Sequence, residues 1–389
     1  MCSSQSSAMK QMLVAGDTPF LPEEIITNIL KRLPVKSLIR FQIVCKHWNN
    51  LIKTQSFIAD HLHHSTHQNP SLLIQQIRTN PLCLYLLDCH MQFREVEKAP
   101  LISSLVCARI IGSSNGLLCL ADYRRCPPSP LLWNPAIREV RQLPITTDHF
   151  EGECLLGFGF SPIINDYKIV RVYELIVICQ VEVYSLSTGS WKDIEFENLG
   201  GVSLVSHAVT VNGVMFWYGL SLEMSIGNTY VIVSFDIASE VFRVIPWPAS
   251  ASYSGKLATY ENKLATLSHS RIGNSQYSCL YLGVMEEGGT GSSGERWNSS
   301  KKYIRSSCPF KLHLGAIWRD QIVCVVFGLP GVSSESEMAN DESKVGLYLF
   351  NVTTNECKRF AIPGPSFHVD VFNYVESLVP LGNIHIEEH

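Results

Sequence analysis

A hairpin recurs through this chain, and that recurrence limits the folds open to it more than any other feature. An aromatic residue ends an apolar run, small polar turn residues follow, and a second run often closes on Pro. The copies are LLWNPAIREVRQLP around Trp133, VEVYSLSTGSWKDI around Tyr184, VSFDIASEVFRVIP around Phe235 and LYLFNVTTNECKRFAIP around Phe350. Trp133, Tyr184 and Phe235 are spaced by 51 residues (133 to 184, 184 to 235), and Phe350 lies 115 further on, two periods with insertions. A degenerate copy, LYLGVMEEGGTGSSGERWNSSKKY, centres on Met285, and a weaker one, LYLLDCHMQFREVEKAP, on Leu87. That makes six units. Turn dipeptides stand before most hairpins: Asn115-Gly116, Asp166-Tyr167, Asn212-Gly213, Asn262-Lys263 and Asp320-Gln321. Each unit therefore reads as a turn, an inner strand and an outer hairpin, about four strands in some 50 residues.

A four-stranded sheet of that size buries its faces only against neighbouring copies, so the pattern has to recur around a closed ring. Period and content predict a mainly β chain built as a six-unit, kelch-like propeller. The Gly-Gly pairs typical of kelch blades are missing from most units. An irregular β-sandwich is the competing architecture.

Residues 21–60 have a different character. Pro22 suits the start of a helix, and Glu23 and Glu24 complement the positive end of its dipole. Ile25, Ile26, Ile29, Leu30 and Leu33 mark one apolar face, Lys31 and Arg32 fall in the last turn, and Pro34 stops the helix. Leu38, Phe41, Cys45 and Trp48, spaced 3, 4 and 3 apart, predict a second helix, with short further turns at 49–53 and 57–62. Three short helices cannot bury so many large apolar groups alone, and their surface needs a partner.

These residues closely resemble the F-box, the adaptor-binding module of SCF-type ubiquitin ligases, and the string LPVKSLIRF followed by VCK and Trp48 resembles its plant version. The resemblance implies that Leu21, Pro22, Ile25, Ile29, Leu33, Pro34, Val35 and Leu38 contact a small Skp-type adaptor from an exposed apolar surface. Phe41 and Trp48 read instead as internal core. The β region, from about residue 110 to 381, resembles the plant F-box-associated domain in GSSNGLLCL, LWNPAIREVRQLP, GFGFSPIINDYKIVRV, VEVYSLSTGSWKDI, NGVMFWYG, FDIASEVFRVIP and the terminal YVESLVPL. The fifth unit departs from it, because MEEGGTGSSGERW lengthens that hairpin. The partition expected is a disordered tail at 1–18, the F-box at 19–62, a linker and lead-in at 63–80, and the propeller at 81–384.

Composition closes off several function classes. With 46% hydrophobic and 17% charged residues the chain is not mainly disordered. Its net charge of −4 argues against a nucleic-acid or anionic-membrane binder. No apolar run approaches the roughly 18 residues needed to span a bilayer, and MCSSQSSAMKQ has no signal-peptide core, so a soluble chain is expected. The 13 cysteines include no CxxC pair, and Cys83, Cys119 and Cys324 lie in apolar runs, as reduced thiols do. Cytosol or nucleus is the expected compartment.

Catalytic motifs are missing. Gly289-Thr290-Gly291-Ser292-Ser293-Gly294 has phosphate-loop spacing, but Glu295 stands where a Lys is needed. Gly157 and Gly159 lack a third glycine and a following helix. His61, His63, His64 and His67 have no Cys beside them and sit on a polar exit, so no metal, cofactor or catalytic residue is assigned. The resemblance implies a non-catalytic substrate receptor that joins adaptor, cullin and RING subunits to a target protein. Its alternatives are an S-locus-type relative recognising pistil ribonucleases in pollen, or a propeller scaffold outside any ligase. Target choice is expected in loops near 121–130, 173–180, 219–228, 268–276 and 328–344. Those loops carry Tyr123, Arg124, Arg125, Glu223, His269, Arg271, Glu335 and Glu337, with Tyr123, Arg124 and Arg125 as the anchors.

Overall fold

Helices α1 (Glu23–Leu30) and α2 (Val35–Phe41) each follow a proline, Pro22 and Pro34, whose fixed φ suits the residue ahead of a first turn. The computed structural model describes residues 21–382 apart from 78, 80–81, 106–107, 124–126, 145–149, 151, 197–198, 223–228, 249–254, 272–277, 287–295, 305–310, 328–345, 355 and 364–367. For 270–271, 278–279, 296–304, 311–312 and 326–327 it describes the backbone alone.

The second expected helix is two. The chain breaks at 42–45, and α3 (Lys46–Ile52) starts afresh with Cys45 extended and its Sγ accepting the Trp48 N–H at 3.5 Å. Apolar spacing counts residues and not axis direction, so two short helices turned toward one core mimic a single longer one. Helix α4 (Gln55–Gln68) is capped by Thr54, whose Oγ1 accepts the Phe57 N–H at 3.3 Å. It carries on through 63–68, where a linker was expected, because no Gly or Pro interrupts it before Pro70.

Six antiparallel sheets follow among the described residues. Blade 1 holds β1 (Ser71–Gln76), β2 (Cys83–Leu87) and β3 (Phe93–Glu95). Blade 2 holds β4 (Ala108–Ser114), β5 (Leu117–Asp122), β6 (Ser129–Asn134) and β7 (Glu139–Gln142). Blade 3 holds β8 (Glu153–Ser161), β9 (Asp166–Glu174), β10 (Ile178–Ser185) and β11 (Ser190–Asp193). Blade 4 holds β12 (Val202–Leu204), β13 (Val209–Val211), β14 (Val214–Ser221), β15 (Thr229–Asp236) and β16 (Val241–Pro246). Blade 5 holds β17 (Lys256–Tyr260), β18 (Lys263–Arg271), β19 (Ser278–Glu286) and β20 (Arg296–Ile304). Blade 6 holds β21 (Lys311–Trp318), β22 (Gln321–Phe327), β23 (Gly346–Asn351) and β24 (Cys357–Ala361). The last strand, β25 (Val369–Tyr374), pairs with β1 from Ser71↔Tyr374 to Gln76↔Val369 and completes blade 1. The innermost strands β25, β4, β8, β13, β17 and β21 touch in turn around one axis.

The repeat has a structural meaning. Trp133, Tyr184, Phe235 and Phe350 all lie on the third strand of a blade, facing Val140, Trp191, Phe242 and Cys357 across the outer hairpin. The residue after the strand's aromatic or apolar end turns the chain. Side-chain oxygens of Asp88, Asn134, Asp236 and Asn351 accept backbone N–H groups two to four residues on. The inner turns join the first strand to the second, so the innermost strand precedes them and does not follow. Asn115-Gly116 and Asn212-Gly213 are such turns, whereas blades 5 and 6 turn at Glu261-Asn262 and Arg319-Asp320, one residue ahead of the expected pairs, and in blade 3 the turn is 162–165 and Asp166-Tyr167 already open β9. Gly116, at φ +81, is needed twice over: a Cβ there would stand 2.6 Å from the Ser377 Cβ.

Six buried apolar clusters fill the six gaps between blades, as the burial argument requires. A seventh joins the helices to the propeller, where Leu30, Val35, Leu38, Ile52 and Phe57 pack with Leu378, Ala136 and Ile137. The eight described cysteines in this fold, Cys45, Cys83, Cys89, Cys119, Cys154, Cys179, Cys324 and Cys357, are free, and burial pushes the Cys119 and Cys324 thiols up. No helix among the described residues is long and apolar enough to cross a membrane.

Polar side chains bolt blade to blade. Gln75, fully buried on β1, donates to the Ala108 carbonyl and accepts the Ile110 N–H, each at 2.8 Å. Gln75→Leu keeps the volume but strands two buried main-chain groups, at about 1–3 kcal/mol each. A urea titration of the variant is expected to show a lower midpoint with an unchanged slope. An unchanged midpoint would remove this bridge from the account of blade docking.

Candidate functional site

Strand direction gives the ring two faces. Turns between strands one and two and between strands three and four lie on the near face. Loops between strands two and three, and the links between blades, lie on the far face. Ala136 and Ile137 belong to a near-face turn, so the helical module docks there.

On that module Leu21, Pro22, Ile25, Ile29 and Pro34 are exposed, Ile29 at 48%, and Leu33 is half-buried. Val35 and Leu38 are corrected: both are 0% exposed. Spaced three apart on α2, they turn inward against Leu30, Ile52 and Phe57, and so hold the exposed residues in place without presenting a surface. Phe41 and Trp48 are partly buried against the same cluster, their rings 5.5 Å apart. The break after α2 exposes Val44 and, at 87%, Ile43, which the single-helix reading hid, and Ile39 is exposed on α2 itself. His61 is buried with Nε2 3.0 Å from the Leu33 carbonyl, which commits it to the module's core.

The far face differs from expectation in its best-described part. Tyr123 is half-buried, its hydroxyl 2.8 Å from His207 Nε2 and its ring 5.9 Å from the Arg109 guanidinium carbon, so it is no free anchor. Arg124, Arg125, Glu223, Glu335 and Glu337 lie outside the described residues, as does the Arg271 side chain. His269 is half-buried within β18, because that strand runs on to Arg271.

What the structure gathers instead is a set of charges at the far mouth of the central channel. Lys256 opens β17, Asp370 and Arg109 stand second in β25 and β4, and His207 lies two residues before β13. The channel forms a cavity of about 300 Å³, lined by Lys256, Asp370 and His207 along with residues of all six innermost strands. Burial lowers the Lys256 ammonium below the usual lysine range, with the Asp370 charge opposing. Burial likewise lowers His207. His207 Nδ1 lies 3.4 Å from the Leu156 N and its Nε2 lies 2.8 Å from the Tyr123 hydroxyl, so the imidazole ties β8 to Tyr123. These residues come from four separate stretches of the sequence, and only ring closure brings them together.

Comparison with known proteins gives this architecture a family. The F-box domain matches residues 19–60, and the F-box associated beta propeller domain matches residues 57–378. The chain belongs to the F-box-associated propeller family. Its relatives include proteins of Arabidopsis thaliana. It is 27% identical over 237 residues to F-box protein At3g08750, covering 58% of this chain and 60% of that one. It is 27% identical over 319 residues to putative F-box protein At5g62660, covering 76% and 79%. With putative F-box protein At1g32420 it shares 28% over 277 residues, covering 69% and 86%.

Two outcomes test this assignment of surface and core. Leu38→Ala should destabilise the helical module by about 2–5 kcal/mol, whereas Ile25→Ala should stay within about 0.5 kcal/mol. Equal losses in hydrogen exchange over residues 23–68 would refute the division. The second concerns acid. Burial is the main cause that lowers His61, seconded by His64, while its bond to the Leu33 carbonyl and the Glu376 charge oppose. The unfolded chain therefore binds more protons below about pH 6.5, and module stability, complete above that pH, falls as the solution is acidified. Protection of α2–α4 should drop between pH 7.5 and 5.5, and drop less in His61→Gln.

Proposed function

We propose that this chain is the substrate-recognition subunit of an SCF-type cullin–RING ubiquitin ligase. Leu21, Pro22, Ile25, Ile29, Leu33 and Pro34 bind the Skp-type adaptor, with Val35 and Leu38 as their internal support. The propeller binds a target protein. The observation that carries this reading is the apolar face left open on a helical module whose own core is already filled. Large aliphatic residues at such exposure are costly in water unless a partner covers them. Membership of the family, and relatives named F-box proteins, support the same reading.

The chain contributes no catalytic group. The ubiquitin chemistry belongs to the cullin–RING partners, and the receptor raises the effective concentration of its target beside them. Docking of the helices on the near face leaves the far face, with its loops and channel mouth, as the side offered to a target. Free thiols throughout the described chain support a reducing compartment, cytosol or nucleus.

Capture of the adaptor tests the proposal. The double variant Leu21→Ala with Pro22→Ala removes exposed contacts only, so the propeller should melt as in the parent. Recovery of co-purified adaptor is expected to fall about tenfold, since a few buried apolar anchors dominate such interfaces. Capture equal to the parent's would take the adaptor role away from these residues.

A further inference from the structure

We propose that the far mouth of the channel and an aliphatic knob beside it form one recognition site, which reads an acidic side chain set two or three residues from apolar ones in an extended segment of the target. This deepens the receptor reading above and rests on it.

The charged half of the site holds an unpaired ammonium. Among the described residues near the cavity, Arg109 and Lys256 stand with Asp370, Glu153 and Glu174 belong to blade 3 further out, and burial lowers His207. No described residue lies within ion-pairing distance of the Lys256 ammonium, and the Arg109 guanidinium rests over the Tyr123 ring. A carboxylate entering the cavity would meet the Lys256 ammonium, with the Arg109 charge close enough to act on the same site. Such charge-assisted bonds are the strong ones in a half-buried setting. The cavity has room for one side chain.

The apolar half is the far-face loop of blade 3 together with the strand that enters blade 4. Leu175, Ile176 and Val205 are exposed there, Ile176 at 77%. Their placement is fixed from below. The buried Glu174 accepts the Leu204 N–H at 2.7 Å and the Ser203 hydroxyl at 3.1 Å, which locks the 175–177 loop beside residues 203–205. Two residues after Val205 the chain reaches His207 in the channel wall. At about 3.3 Å per residue, a ligand strand of two or three residues spans from knob to mouth. Exposed aliphatic groups fixed in position beside an unsatisfied charge are what a mixed apolar and acidic segment would cover.

The experiment uses the full chain, without adaptor, to select from a heptapeptide phage library, followed by fluorescence polarisation of the best peptide. Selected peptides are expected to carry Asp or Glu two or three positions from Leu, Ile, Val or Phe. Lys256→Gln should weaken the best peptide about tenfold, and changing the peptide's acid to its amide should cost the parent the same but the variant nothing more. The double variant Leu175→Ser with Ile176→Ser should also weaken it, with an unchanged melting temperature. Asp370→Asn, which removes the competing carboxylate, should strengthen binding and so guards against a variant that merely misfolds. Selection of no common pattern, or of peptides without an acid, or affinity indifferent to Lys256→Gln, would overturn the site. Adaptor capture by the same preparations separates the two proposals. A chain that captures adaptor yet selects no acidic peptide loses only this inference, and the reverse result removes only the ligase reading.

Discussion

The pairing of β25 with β1 is the contact on which the rest of the molecule depends. No blade here can bury both faces of its sheet, and each of the six apolar clusters draws its residues from two neighbouring blades. An open arc of blades would leave two of those faces in water. The ladder from Ser71↔Tyr374 to Gln76↔Val369 closes the arc by lending the first blade its innermost strand from the far end of the chain. Closure joins residues about 300 apart, so its chain-entropy cost is offset only when all six gaps are filled together. Stability of the ring should therefore be one cooperative quantity. The far mouth shares that dependence, because Asp370 sits on the closing strand itself.

The same strand also sets how the helices are held. Beyond Tyr374 the chain crosses the near face as a strap. Asn134 donates from Nδ2 to the carbonyls of Ser377 and Val379, Glu139 accepts the Leu381 N–H at 2.7 Å, and Arg141 donates to the Leu381 carbonyl at 3.0 Å. Leu378 leaves the strap to enter the helical core. Main-chain groups that would otherwise be orphaned over an apolar floor are satisfied by blade 2 side chains, and the floor comes close enough because residue 116 is Gly. A receptor works by geometry, and tethering helps only when the two attachment points keep a defined relation. One strap that touches closing strand, blade and helices supplies that relation.

How much of this was legible in the sequence depended on range. The aromatic followed by a turn residue, as in Trp133-Asn134 and Phe235-Asp236, is a local hydrogen-bonding device, so its repetition marked the blades and their number. Asn-Gly pairs marked inner turns for the same reason. Even the terminal YVESLVPL stood out as a motif, though only the structure explains it, as the strap. What escaped depended on distance or direction. The break at 42–45 turns a helix axis without disturbing the apolar spacing, which hid Ile43 and buried Val35 and Leu38. Arg109, His207, Lys256 and Asp370 come from four different innermost strands or their approaches, and nothing in any one stretch marks them as neighbours.

Strand parity then decides which face is free. In each blade the second strand runs from the near face to the far face, and the first runs the opposite way. The propeller chain begins with β1, a second strand, and ends with β25, a first strand, both in the same sheet. Both of its ends therefore emerge on the near face. Helix α4 leads directly into β1, and the strap leaves directly from β25, so the helical module has no short route to the other side. Had closure used an outer strand in place of the innermost, the strap would have left blade 1 at its rim, away from the helices that Leu378 joins. The division of labour, with an adaptor surface at one pole and a charged channel mouth at the other, follows from the register of one pair of strands.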